Sequence, residues 1–590
     1  MAEQDSGVPE TAFSTGFYPY GFKREVLALF KLAWPLSLSI LFHYLIQPIS
    51  LAFCGHLGSH QLAAVAMAIS VIYITTVSFG RGLAFAGDTY FSQTFGSANK
   101  KKMGVYLQKG LIFGVLTSCP IWAILLNTET ILLLVGQDAD VAQMSQEYVL
   151  LFMPGVLAYC WLFLLMRYLL CQNRVIPNFI ICVTACAVNA ILHYGLLFQA
   201  KMGIQGSAVA LMSSYFLVLF LFVAYIWGSG IYKETWDGWS WECLEDWGPF
   251  GKTAIASIGM TFIFWLCTEV GTFLGGILSE RDLSTYSIMF QVEGFAWMLP
   301  LGLGGACAAR VGQYLGSNEP LGALTATRVA LTVQVFLSIT IAGVSYALKD
   351  LIPKMFTADT DIIDYTAKLF PILALFLLLE GFGGVGVGII RGTGRQSLGA
   401  VIIFISYYIF ALPVGVPLMF ATSLGLAGLW WGYVLGIGTQ DLGLLGFIIK
   451  VDWKKEADNA QVRAGTKTDD LLEDADERTS LLRGSVQTTE ENGNYVSIHQ
   501  SSTSRTRLVL KRLGVLMVFG AILAAGVLVR LYVKPRRVWS ELCIPIDNST
   551  SIYNSLTTVS PENITLPYCN ETTSTLNVKH VGLLPVVFYH

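Results

Sequence analysis

The sequence says nearly the same thing twice. Phe198, Gly203 and Gly206 in FQAKMGIQG recur as Phe420, Gly425 and Gly428 in FATSLGLAG, and Gln93 to Ser97, QTFGS, recurs as Gln313 to Ser317, QYLGS. Gly55, Leu57 and Leu62 likewise match Gly276, Leu278 and Leu283. Three patterns in one order, at shifts of 220 to 222 residues, mark a duplication within a chain made almost wholly of membrane-length apolar segments. Duplicated helical bundles are a common build of secondary transporters.

The 590 residues are 54% hydrophobic and only 13% charged, which places the chain among integral membrane proteins. A net charge of -3 argues against a nucleic-acid partner. Met1 to Glu25 is polar and the first apolar stretch is already long enough to span, so no cleavable leader is expected. The eleven cysteines show no zinc spacing, and no metal or cofactor is expected. Cys543 and Cys569 stand apart, in a polar tail with glycosylation sequons at Asn548, Asn563 and Asn570. In an oxidising compartment these two can pair as a disulfide.

About 20 apolar residues cross the hydrocarbon core. Reading in those units gives spans near 27–51, 62–87, 105–126, 147–170, 175–198 and 204–228, then near 251–278, 284–308, 324–348, 365–390, 397–420 and 424–450. The expected fold is therefore an all-α integral membrane protein of two parallel six-helix bundles, an N-lobe at 26–228 and a C-lobe at 249–450. Because six is even, both lobes start on the same side. Residues 1–25 form an N-terminal segment and a Trp-rich connector fills 229–248. Residues 451–507, too polar to bury a core, read as a disordered linker. A thirteenth transmembrane helix at 508–533 then leads to a glycosylated tail at 534–590. Lys23, Arg24, Lys100, Lys101, Lys102, Arg167, Arg174, Arg328, Arg391 and Arg395 gather on one side, which makes the N-terminus, the connector and the linker cytoplasmic and puts the tail outside or in a lumen.

An ionisable side chain at the bilayer centre costs at least ~2.5 kcal/mol on insertion scales, so it normally faces a bundle interior or a wet cavity. Glu269, Glu293 and Glu380 lie within C-lobe spans; the N-lobe offers only Asp88 near a helix end and His43. A carboxylate removed from water tends to hold a proton and release it when a cation approaches. One group can then bind either a proton or a cationic substrate, and the gradient of one drives the other. Trp265, Phe264, Phe290, Phe295 and Trp297 lie around these acids and could wall an organic cation. Against this stand plainer readings: a membrane glutamate can be a structural hydrogen-bonder, the aromatics can face lipid or core, and His43 can be a satisfied interior side chain or a proton relay. Asp88 and Arg81 are expected to form an internal ion pair or loop clasp. The glycine runs at 302–305 and 381–388 lack a nucleotide cradle's Lys-Ser/Thr and suit close helix packing.

CGHLGSHQLAAVAMA (54–68), GDTYFSQTFGSANKKKMGVYLQK (87–109), TEVGTFLGGIL (268–278), RVGQYLGS (310–317) and RGTGRQSLGAVI (391–402) resemble the multidrug and toxin extrusion (MATE) transporters of vertebrate type, over about residues 20 to 460 and on to the extra thirteenth helix. The resemblance implies twelve core helices in two lobes, working as a proton-coupled antiporter that exports organic cations by alternating access. It implies proton and cation binding at Glu269 and Glu380 and a cavity position for Trp265. A family glutamate five residues before Glu269 is Phe264 here, and the one in the next helix is Gln291. Glu293 lies nearby but about 200° round the helix from Gln291, so it cannot simply replace it. Family polar positions in the N-lobe align with Ile40 and Tyr73, with His43 and Gln47 close by. The cavity is less acidic and more aromatic than the family pattern, which leaves a narrower, less cationic or zwitterionic substrate conceivable.

The linker carries an acidic dileucine pattern, Glu477 to Leu481-Leu482, and a tyrosine pattern at Tyr495, the kind of address read by sorting adaptors. These set an endosomal or lysosomal membrane beside the plasma membrane as destinations. The leading reading is a monomeric antiporter whose partners are a small organic substrate, protons and the bilayer. A flippase for amphipathic substrates would work without a proton gradient, and a transport-dead scaffold would be indifferent to changes at Glu269 and Glu380. An enzyme is disfavoured, since no nucleophile with base or nucleotide loop lies outside the membrane segments.

Overall fold

The structure, a computed structural model, describes residues 21–467 and 505–532. Among them are thirteen helices long and apolar enough to cross a membrane. They are α1 (Phe22–Gly55), α2 (His60–Gly96), α3 (Lys102–Leu125), α4 (Ala139–Cys171), α5 (Ile176–Gln199), α6 (Gly203–Gly228), α7 (Trp247–Leu278), α8 (Glu280–Gly316), α9 (Pro320–Ala347), α10 (Thr360–Thr393), α11 (Gln396–Phe420), α12 (Leu426–Lys450) and α13 (Arg505–Tyr532). No strand occurs among the described residues. Asp138 caps α4 by accepting from the Asp140 and Val141 amides, and Asp359 does the same for α10 at Asp361 and Ile362, satisfying amides that have no partner in the first helical turn. Pro35, Pro48, Pro154 and Pro371 all lie inside continuous helices. Single π-helical stretches interrupt α2 at Tyr73–Val77, α5 at Tyr194–Gln199 and α11 at Ile405–Ala411.

The two halves meet as a duplication requires. The most extensive cross-lobe packing is α1 on α8, α2 on α7, and α2 on α8. Exchanging the halves turns the first contact into the second and leaves the third in place. The start of α1 meets the end of α8, where Arg310 holds the Glu25 carboxylate at 2.8 and 2.7 Å. In the other copy of that contact, Tyr90 near the end of α2 is 3.4 Å from Thr253 near the start of α7. Both lobes therefore begin at one end of the molecule, the N-terminal end. α2 and α8 run past the expected limits of 87 and 308 to Gly96 and Gly316. Their last turns carry the repeated QTFGS and QYLGS motifs and pack on each other: a Cβ on Gly96 would overlap the Gln313 carbonyl, and one on Gly316 would overlap the Gln93 carbonyl.

At this end the reading of 451–507 as one disordered linker needs correction. Trp453–Ala464 is a helix, capped by Asp452 at the Lys454 and Lys455 amides and ended by Gly465 at φ 71°. It lies across both lobes: Arg395 donates to Glu456 at 2.5 Å, Gln461 to the Gly316 carbonyl at 2.5 Å, and Tyr106 to the Arg463 carbonyl at 2.6 Å. Composition averaged over the whole polar stretch hid a short amphipathic segment. The connector is also docked, with Lys100 on Glu234 and Lys101 on Asp237. α13 packs along α3, where Gly526 faces Ala123 and accepts from Asn127, and Arg530 pairs with Glu129 at 2.9 Å. Glu477, Leu481, Leu482, Tyr495, Cys543, Cys569, Asn548, Asn563 and Asn570 lie outside the described residues.

Candidate functional site

A run of glycines on α10 builds the acidic site. Side chains on Gly381, Gly383, Gly384 and Gly388 would overlap or crowd Gln334 and Ser338 of α9, Gln440 of α12, the Trp297 ring and the Gly304 backbone of α8. With no side chains there, α8, α9 and α12 close tightly on α10. Glu380 opens this run and is 2% exposed; Glu293 of α8 is 6% exposed. Their carboxyl groups lie close enough to interact directly. Two like charges held this close in a buried site cannot both be bare at low cost. Asp441, on α12, is within electrostatic range of Glu380, and both its oxygens, like Glu380 Oε1, are buried without a hydrogen-bond partner. Tyr407, in the π-helical stretch of α11, is also within electrostatic range of Glu380, and its hydroxyl is buried without a partner. Such short π segments frequently occur where a side chain is aimed at a functional site.

Asp441 was not among the candidates read from the sequence, although the signal was present: an acid in the middle of the apolar segment LWWGYVLGIGTQDLGLLGF. Glu269 stands apart from the Glu293–Glu380 pair. It is half-buried on α7, near Tyr286, with no hydrogen bond or ion pair to its side chain among the described residues.

The aromatic candidates divide. Phe264 stacks on Trp297 with ring centroids 6.3 Å apart and meets Tyr407 edge-on at 5.6 Å, and Trp297 lies 3.1 Å from where a Gly384 Cβ would be, so these rings roof the carboxyl pair. Phe290 stacks on Tyr286 within the C-lobe. Trp265 and Gln291 instead face the N-lobe: Trp265 meets Tyr73 at 5.0 Å, and Gln291 accepts from Tyr44 at 3.1 Å. Gln291 and Glu293 thus point to opposite sides of α8, as two residues at 100° each require. Gln291 also lines a cleft of about 320 Å³ with Ser284, Ser287 and Phe356.

In the N-lobe, His43 is buried, stacked on Tyr215 at 5.6 Å and edge-on to Phe163 at 4.8 Å, with Nε2 unpartnered. Gln47 donates to the Tyr215 hydroxyl at 3.1 Å. The expected pairing of Asp88 with Arg81 does not form. The two are seven residues apart on one helix, about 10 Å along its axis, and Asp88 lies instead between Arg391 at 3.1 Å and Arg167 at 3.6 Å. Both arginines end the fourth helix of their lobe, so a single N-lobe aspartate holds the same corner of both repeats. Its counterpart at a shift of 220, Ala308, carries no charge.

Among the described residues, cross-lobe hydrogen bonds and ring contacts run from the N-terminal end only as far as Tyr44–Gln291 and Tyr73–Trp265. The lobes are fastened at the N-terminal end, by Asp88, the paired glycines and the helix Trp453–Ala464, and part beyond the middle. Two lobes joined at one end around a buried, protonatable pair make a frame that can expose its centre to either side by rocking.

Comparison with known proteins agrees with this frame. The MatE family profile matches residues 35–195 and 256–416, one stretch in each lobe. The chain is 39% identical over 539 residues to multidrug and toxin extrusion protein 1 of Homo sapiens, covering 87% of this chain and 94% of that one. It is 40% identical over 446 residues to multidrug and toxin extrusion protein 2 of Mus musculus, covering 76% and 78%. Among solved structures, the eukaryotic MATE transporter AtDTX14 superposes with a TM-score of 0.73 at 28% identity, over 75% of this chain and all of that one. The chain is therefore a multi-pass membrane protein of the multidrug and toxin extrusion (MATE) family, a secondary transporter of small organic substrates.

Proposed function

We propose that this transporter is a proton-coupled antiporter for organic cations and related amphiphiles, and that the Glu293–Glu380 pair is its exchange site. The observation that carries the reading is the juxtaposition of two buried carboxyls, Glu293 and Glu380, which favours a proton held between them. Like charges this close cannot both be bare at low cost, so loss of that proton calls for a replacement cation. A substrate ammonium entering between the lobes supplies it and the proton leaves; reprotonation from the other side expels the substrate. Asp441 and Tyr407, both within electrostatic range of Glu380, supply a further acceptor and donor. Glu269, half-buried and unpartnered, is an approach position for the cation beside Trp265.

The absence of acid at Phe264 and Gln291 favours a narrower substrate range than a cavity with four acids would give. The lysine and arginine distribution supports a cytoplasmic N-terminal end and hence an outward-open arrangement of these lobes in the plasma membrane. A monomer and adaptor-directed sorting through the polar linker complete the reading.

The test is uptake of labelled tetraethylammonium into proteoliposomes under an imposed outward proton gradient. Gradient-driven uptake that falls at least ~10-fold in Glu293→Gln and in Glu380→Gln is the expected outcome. Uptake indifferent to the gradient in the wild type removes the antiporter reading.

A further inference from the structure

Arg81 of α2 is 5% exposed, and among the described residues it has no acidic partner. Asp88, the acid nearest to it in its own helix, is taken by Arg167 and Arg391. A guanidinium does not lose its charge inside a protein, and an unpaired buried charge is expensive to keep. Here it is only partly compensated. The cation lies 5.4 Å from the centre of the Phe163 ring and interacts with the Tyr159 hydroxyl, while its Nε has no partner. A second orphan lies in the same pocket, since His43 is within electrostatic range of Arg81 and its Nε2 is also buried and unpartnered.

The position of this unpaired cation is informative. Tyr44 and Tyr73 both lie within electrostatic range of Arg81. They are also the residues that make the outermost cross-lobe contacts, to Gln291 and Trp265. Tyr44 feels Arg81 on one side and Glu293 on the other. Tyr44, at the seam of the lobes, thus lies between opposite charges, a protonatable acid pair on the C-lobe side and an arginine with an unfilled donor on the N-lobe side.

We infer that Arg81, with His43, is an anion-binding subsite that suits this transporter to substrates carrying a carboxylate or sulfonate as well as a cationic group. A monocation satisfies only the C-lobe end. A zwitterion satisfies both: its anionic group takes the free Arg81 Nε and its cation replaces the proton at the acid pair. The cationic half of this inference rests on the antiporter reading above, but the anionic half stands on the N-lobe geometry alone.

A matched pair of probes separates the two halves. N,N,N-trimethylphenylalanine is a permanent cation with a free carboxylate; its methyl ester has the same shape and cation with no anion. Equilibrium binding of each labelled compound to the purified full-length protein needs no gradient, so its outcome does not depend on proton coupling. The wild type is expected to bind the zwitterion at least ~10-fold more tightly than the ester, the scale of one charge-assisted hydrogen bond. Arg81→Met should erase that preference, and Arg81→Lys, which keeps the charge, should restore part of it. Thermal unfolding of each variant checks that the fold persists. A wild type that prefers the ester or binds the two alike, or an Arg81→Met protein that keeps the preference, overturns the inference.

Discussion

Gly96 of α2 lies so close to the Gln313 carbonyl of α8 that the two backbones leave no room for a β-carbon, and Gly316 stands in the same relation to Gln93. The motif duplicated in the sequence meets its own copy at the pseudo-two-fold axis. Close approach of two helix ends through glycine gives a contact that is either fully made or fully lost, which suits the closed end of a transporter that must open there once per cycle.

Filling that contact should therefore shift the balance between states. Gly316→Val is expected to separate the ends of α2 and α8 and expose Gln93. With Gln93→Cys as reporter, modification by a membrane-impermeant maleimide added from the N-terminal side should rise at least ~3-fold, a shift well under 1 kcal/mol in a two-state equilibrium. An unchanged rate would mean that the ends do not part.

Asp88 holds two buried arginines, and removing its charge leaves both uncompensated. Breaking a buried pair by removing one partner typically costs about 3–5 kcal/mol. Asp88→Asn is expected to lower the thermal unfolding temperature of the purified protein markedly. Arg391→Gln in the Asp88→Asn background should recover part of the loss, because it removes one of the two stranded charges. A double variant less stable than Asp88→Asn alone would show that Arg391 is held by something else.

The helix Trp453–Ala464 ties both lobes at the same end. Gln461→Ala removes the donor to the Gly316 carbonyl, a buried contact worth about 1–3 kcal/mol. Hydrogen exchange at the last turns of α2 and α8 should then speed up while exchange in the centre of α10 stays as it was. Equal acceleration in both places would make the helix a general stabiliser rather than a strap.

Asp441 is within electrostatic range of Glu380 but has no hydrogen-bond partner among the described residues. Asp441→Asn should weaken gradient-driven tetraethylammonium uptake less than Glu380→Gln does. A loss as large as that of Glu380→Gln would bring Asp441 into the exchange site itself.

Most of the architecture was legible because membrane helices announce themselves by length and apolarity, and the duplication fixed their grouping. The site was legible only in part. Glu293 could be assigned a direction, away from Gln291, but not a partner, since its meeting with Glu380 depends on how tightly the α10 glycines let α8 approach. Asp441 could have been found by the same search for acids in apolar runs. Arg81 drew the wrong partner because neighbours seven apart share a helix face without touching, whereas Arg167 and Arg391 reach Asp88 from other helices.

The central claim is that substrate cation and proton exchange at the Glu293–Glu380 pair. Its most direct test is calorimetric binding of tetraethylammonium to the purified protein in buffers of different ionisation enthalpy, which counts protons released per substrate bound. The account predicts release of about one proton by the wild type at neutral pH and close to none by Glu293→Gln or Glu380→Gln. Binding without proton release by the wild type, or release that persists in both variants, would contradict it.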